Sequence, residues 1–156
     1  SLHMNEKEYT VATPADFTPV IVAVLKRART ITKRAAVVAL SGDLGAGKTT
    51  FTQELAADLG VTEPVVSPTF GIMKAYELEN DSDFDHLIHI DAYRIADISE
   101  AGPLRLEELF TTPRTLICLE WPENISSILP EDVMKINIEI GESEQRKVTI
   151  TPNKGQ

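Results

Sequence analysis

Cysteine is nearly absent: Cys118 stands alone in 156 residues. That excludes an intrachain disulfide and a cysteine-built zinc site, and it fits a reducing compartment. Within "LICL" the residue reads as a small buried apolar side chain. Long apolar runs are missing too. No segment approaches the roughly 18 residues a spanning helix needs, and no charged-then-apolar leader is visible, so a soluble, cytoplasmic protein without membrane contact is expected. Basic charge is scarce: 15 Lys and Arg face 24 Asp and Glu, for a net charge of -9. Broad unaided nucleic-acid binding runs on neutralising phosphates, so DNA is excluded as a partner and RNA is expected only through another protein. The acidic residues are scattered, as on a solvated surface. Repeats, low-complexity tracts and linkers are also lacking. The expectation is one domain over residues 5–156, with Ser1–Met4 read as an expression remnant.

What is present alternates strand and helix signals. Phe17, Val20, Ile21, Val24, Leu25 and Ala28 fall at helical spacing, with Thr13-Pro14 as an entry signal and Pro19 as either a second start or a kink. "AAVVAL" (35–40) is too short for a helix and reads as a buried strand. Phe51, Leu55 and Leu59 then repeat at i, i+4, i+8, and Gly60 follows where a helix would stop. Further strands are expected at Gly71–Leu78, His86–Ile90, Thr115–Leu119, Val133–Ile140 and Lys147–Thr151, with a short helix over Leu104–Phe110. Polar turns separate them at 79–85 and 141–145. The fold class is α/β: a P-loop NTPase-like, mainly parallel sheet flanked by helices, with antiparallel edge strands toward the C-terminus.

Between the first buried strand and its helix lies "SGDLGAGKTTF" (41–51). Gly42, Gly47, Lys48 and Thr49 satisfy G-x-x-x-x-G-K-[ST] in the strand-loop-helix context that gives this pattern its meaning. Without Cβ atoms, successive backbone N–H groups from Gly42, Asp43, Leu44, Gly45, Ala46 and Gly47 through Lys48, Thr49 and Thr50 can turn in around phosphate oxygens. The helix start adds its positive dipole end. Lys48 would supply a charge to the β and γ phosphates and Thr49 a hydroxyl to Mg²⁺.

Hydrolysis also needs carboxylates near the metal and the water. Asp91 and Glu120 each follow a buried-looking strand at its carboxyl end, where ligands of open α/β sheets gather. The shorter Asp91 suits Mg²⁺; Glu120 suits the attacking water or the metal's surroundings. His86 and His89, three apart on a strand, should face opposite ways, and His89 reads as a hydrogen-bonded structural residue. Arg94 suits either γ-phosphate charge or an ion pair, the pair being favoured. Trp121 has three open roles: packing over a nucleotide, filling core, or touching a partner. In "VVSPTF" (65–70), Thr69 is placed to approach a γ phosphate on a loop that changes shape with the nucleotide.

Taken in order, "GDLGAGKTTF", "SPTF", "HIDAYR" and "LEWPE" resemble the TsaE family, small P-loop ATPases of bacterial threonylcarbamoyladenosine synthesis on tRNA. The likeness runs from about Ala36 to Glu123. It implies ATP and Mg²⁺ on Lys48, Thr49 and Asp91, a catalytic Glu120, Thr69 in a first switch and Trp121 beside the site. It also implies a partner, a threonylcarbamoyl transferase heterodimer of the TsaB-TsaD type, that ATP use would reset between turnovers. "FTPVIVAVL" (17–25) departs from the family's small, glycine-containing helix start, so no adenine contact is carried over from it.

Two other classes remain in play. A small kinase would share the loop but needs a mobile arginine-bearing lid, and no arginine-rich segment is present. A nucleotide-sensing scaffold would bind ATP and barely hydrolyse it. A GTPase is disfavoured, because "NKGQ" (153–156) lacks the aspartate of a guanine reader.

Overall fold

Burial on both faces decides which strands run parallel. β2 (Ala36–Ser41) is buried at all but its last residue and β5 (Thr115–Glu120) throughout. In a computed structural model, which describes residues 6–68, 72–97, 99, 102 and 104–151, these two lie side by side. β6 (Met134–Ile140) flanks β2 and β4 (His86–Asp91) flanks β5, all four parallel. Helices must cover both faces of such a sheet.

Antiparallel strands close both sides. β7 (Arg146–Thr151) pairs with β6, and β1 (Lys7–Val11) with β7; on the other side β3 (Met73–Glu77) pairs with β4. The sheet order is β1-β7-β6-β2-β5-β4-β3. Strand alternation then sorts the core into two layers. Ala36, Val38, Leu40, Leu116 and Cys118 face α1 (Thr18–Ala28) and α2 (Lys48–Asp58). Val37, Ala39, Ile88, Ile90, Ile117 and Leu119 face α3 (Leu106–Phe110) and a 3-10 stretch at Pro122–Ile128.

All six expected strands are found, within about two residues of their expected limits. A 3-10 turn at Pro14–Phe17 leads into α1, and Pro19 sits in the first turn of the helix, where its missing N–H costs nothing. The antiparallel pairing is wider than expected. β1 gave no clear sequence signal, because only Val11 of "KEYTV" is buried, and β3 places an antiparallel edge in the middle of the chain. Among the described residues, no helix is long and apolar enough to cross a membrane.

Register sets the site. Leu40 lies opposite Glu120, and Glu120 opposite Asp91, so the glycine loop after β2 and both carboxylates emerge at one end of the sheet.

Candidate active site

Only a tight reversal can carry β2 into α2, and the loop between them makes it with positive φ at Gly42 (144°), Gly45 (79°) and Gly47 (116°). Gly42 has a second reason to be glycine. A Cβ there would stand 2.3 Å from the Ile138 carbonyl oxygen of β6, a contact no real side chain tolerates. Gly47 ends the loop as the residue before α2, so the free N–H groups of that helix point toward the sheet's carboxyl end.

Lys48 is the first residue of α2 and is almost fully buried, at 5% exposure. Its Nζ donates to the Gly42 carbonyl at 2.6 Å and lies 3.7 Å from the centre of the Trp121 ring. Burial lowers its pKa from the ordinary lysine value, partly opposed by the negative charges of Glu120, Glu123, Asp91 and Asp43. Its cation is therefore dehydrated and held by a neutral oxygen and a π face.

Thr49 follows. Its Oγ1 donates to Glu120 Oε2 at 3.1 Å and lies 3.0 Å from Ser67 Oγ. Glu120, at the end of β5, is 4% exposed, and its Oε2 also meets His89 Nε2 at 2.6 Å. Asp91, at the end of β4, is partly exposed and accepts the Tyr93 backbone N–H at 3.0 Å. Tyr93 and Trp121 pack with ring centres 5.0 Å apart. Trp121 itself has positive φ (59°), and the Asn124 side chain ties the following turn to the Ala92 carbonyl at 2.8 Å.

These groups enclose a hollow of about 260 Å³ lined by Leu44, Gly45, Gly47, Lys48, Thr49, Thr50, Ser67, Asp91, Tyr93, Glu120 and Trp121. Most residues singled out from the sequence thus converge. Gly42, Asp43 and Ala46 belong to the loop without lining this hollow, and Arg94 is exposed and does not line it either. Thr69 lies outside the described residues, as does the 153–156 segment. Of the roles left open for Trp121, the structure places it at the site, over the lysine of the loop. The two histidines do face opposite ways: His89 is fully buried, while His86 is half-exposed near Glu77, at 3.9 Å.

Some of the site escaped the sequence. Ser67 joins through its hydroxyl, and only its place in "SPTF" hinted at it. Arg146, about 100 residues from the loop, donates from Nε to the Ala46 carbonyl at 2.8 Å and from Nη2 to Gly45 at 3.4 Å. It holds two loop carbonyls on the side away from the hollow, and no local pattern could announce that. With Val11, Pro14, Phe17, Thr50 and Glu144 among its neighbours, it lines a second hollow of about 190 Å³ across the loop.

The oxygen donors suit a hard divalent cation such as Mg²⁺, which takes hydroxyl, carboxylate and phosphate oxygens rather than nitrogen or sulfur. Among the described residues, no group of three or more His, Cys, Asp or Glu is gathered tightly enough to hold a metal alone. Mg²⁺ in such sites relies on phosphate oxygens for part of its shell.

Sheet order, glycine loop and buried lysine define an α/β protein of the P-loop NTPase-like class. The family model described as threonylcarbamoyl adenosine biosynthesis protein TsaE matches residues 19–148, and the chain belongs to that family. It is similar to the Bacillus subtilis tRNA threonylcarbamoyladenosine biosynthesis protein TsaE, 42% identical over 83% of this chain and 77% of that one. The protein of the same name from Streptomyces coelicolor is 38% identical over 74% and 78%. The crystal structure of Bacillus subtilis YdiB superposes with a TM-score of 0.70 at 30% identity, covering 98% of this chain and 89% of the other.

Proposed function

We propose that this protein is a Mg²⁺-dependent ATPase subunit of the cytoplasmic machinery that makes tRNA threonylcarbamoyladenosine. It hydrolyses ATP to support turnover of a threonylcarbamoyl transferase heterodimer of the TsaB-TsaD type, and tRNA is reached only through that partner. Family membership supports the pathway. The observation that carries the ATPase reading is the junction at the start of α2, where a buried lysine, a hydroxyl and a buried carboxylate meet in one hollow.

The roles follow from the chemistry. Loop N–H groups and the α2 dipole bind phosphate oxygens, and Lys48 exchanges the Gly42 carbonyl for them. Thr49 and Asp91, with Glu120 near, hold Mg²⁺, which neutralises developing phosphate charge when bound. Glu120 accepts a hydrogen bond from the attacking water and orients it. The second hollow, beyond the loop, gives the rest of the nucleotide room. Thr69 is assigned to the nucleotide-responsive loop.

The test is Mg²⁺-dependent hydrolysis of ATP and of GTP by the purified protein, alone and with the heterodimer. Stimulation of ATP turnover, with little effect on GTP, is expected. Turnover that requires a small acceptor would make it a kinase, and tight binding without stimulated turnover a nucleotide-sensing scaffold.

A further inference from the structure

His89 has no role in the chemistry above, yet it is the most completely buried polar group at the site. Its ring is 0% exposed, and only one of its nitrogens is used: Nε2 meets Glu120 Oε2 at 2.6 Å, while the buried Nδ1 has no partner. A histidine kept to knit the fold together would be expected to satisfy both nitrogens, because an unpaired buried polar atom is costly. The fold bears that cost here for a single bond. To bond a carboxylate, Nε2 must carry a proton, so the ring donates to Glu120 from that nitrogen.

Position strengthens the case. His89 lies two residues before Asp91 on the α2-facing side of β4, opposite Cys118 in register, one step deeper in the sheet than Glu120. The other bond to the carboxylate comes from Thr49, also on Oε2, and Thr49 rides on the loop-helix junction that a nucleotide must engage. His89 sits inside β4, two residues back from the strand end and fully buried. The carboxylate therefore has one anchor at the start of α2, beside the glycine loop, and one inside the sheet.

We propose that His89 is a positioning residue for ATP hydrolysis: by donating from Nε2 it fixes Oε2 of Glu120 and so aims the carboxylate at the attacking water. The inference rests on the ATPase reading above. It predicts a loss in the chemical step without a loss in nucleotide binding, because nothing in the loop depends on the ring.

Two amides of different reach separate aiming from packing. In His89→Gln the side-chain N–H falls near the place of Nε2; in His89→Asn it stops one methylene short. With the transferase heterodimer present, His89→Asn should lower kcat by about 10- to 100-fold, the usual range for a hydrogen-bond partner behind an active group. His89→Gln should recover most of it. Affinity for a non-hydrolysable ATP analogue, read from Trp121 fluorescence, should stay within about threefold in both, as should KM. Thermal melting of both variants verifies folding. Equal kcat in His89→Asn and wild type overturns the inference, and so does equal loss in both folded variants, or a kcat loss matched by the same loss of analogue affinity. Wild-type protein that turns over no ATP with the heterodimer overturns the ATPase reading itself, which separates the two failures.

Discussion

The two ends of the parallel strands treat charge in opposite ways. At the amino ends, cations are spent on anions. Arg29, just past α1, forks onto Asp81 at 2.9 and 3.0 Å and reaches Asp83 at 2.8 Å; Arg114 before β5 grips Asp85 before β4 with two 3.0 Å bonds; and Arg34 before β2 pairs with Asp132 before β6. At the carboxyl ends, Lys48 is given a carbonyl and an indole, and Glu120 a hydroxyl and an imidazole. Among the described residues, no lysine or arginine forms a salt bridge with Asp91 or Glu120 there. Charges closed on each other hold turns in place. Charges kept apart retain their capacity for a ligand that brings charge of its own.

The sharpest way to break this contrast is Lys48→Ala. Nucleotide affinity should fall by about 100-fold and hydrolysis by more, as expected when a desolvated cation facing phosphate is removed. Stability should not follow. Burial already disfavours the charge on this lysine, so its loss relieves a desolvation cost and the melting temperature should hold or rise. Scanning calorimetry beside a binding titration gives both numbers. A large drop in melting temperature would show that Lys48 holds the fold together and erase the distinction between the two ends.

Next in size is Glu120→Ala. Hydrolysis should drop by about 100-fold or more while analogue binding persists, the signature of a group that acts on water rather than on phosphate. Loss of binding would instead make the Thr49–Glu120 bond the support of the loop.

Legibility in the sequence follows the same division. The carboxyl end was readable because its chemistry is local: a G-x-x-x-x-G-K-T loop and carboxylates that directly end apolar strands. Element order was readable for a similar reason, since a strand buried on both faces is a short continuous apolar run. Contacts that depend on the assembled sheet were not. Arg146 braces the loop from a hairpin about 100 residues away, β1 is an edge strand with one buried side chain, and Arg29 finds Asp81 across 52 residues. His89 reads from the sequence as a hydrogen-bonded residue, and it is one. Its partner was hidden, because parallel register rather than spacing brings β4 and β5 together.

A smaller effect is expected at the amino end, on stability alone. Asp81 is 9% exposed and accepts the Asp83 and Phe84 backbone N–H groups at 2.9 Å as well as the Arg29 fork. The Arg29 bond first, then these amides, lower its pKa from 3.8 to about 2. A depressed carboxylate stabilises the fold above its unfolded value and loses that contribution as pH falls toward the folded one. Asp81→Asn should therefore cost about 1–3 kcal/mol at neutral pH. The gap to wild type should close between about pH 4 and pH 2, read by denaturant titration. ATP turnover per folded molecule should not change. A gap independent of pH would mean that the turn, and not the charge, is what Asp81 supplies.

The smallest effect should come from the pair that looks strongest on paper. Arg114 makes a bidentate contact with Asp85 and a further bond from Nη1 to the Ser82 carbonyl at 3.2 Å. Yet both side chains are about half exposed, and water competes for every one of those bonds. Arg114 also holds a left-handed backbone, φ 56°, which its side chain does nothing to relieve and which Ala would share. Arg114→Ala thus removes screened contacts and leaves the backbone cost in place, so the melting temperature should move by less than about 2 °C. Arg114→Gly removes the same contacts and the steric cost together, so it should melt at or above the temperature of Arg114→Ala. The reverse order would show that the αL turn is not strained, and a fall of many degrees in both variants would show that the Asp85 contact, despite its exposure, fixes the entry into β5.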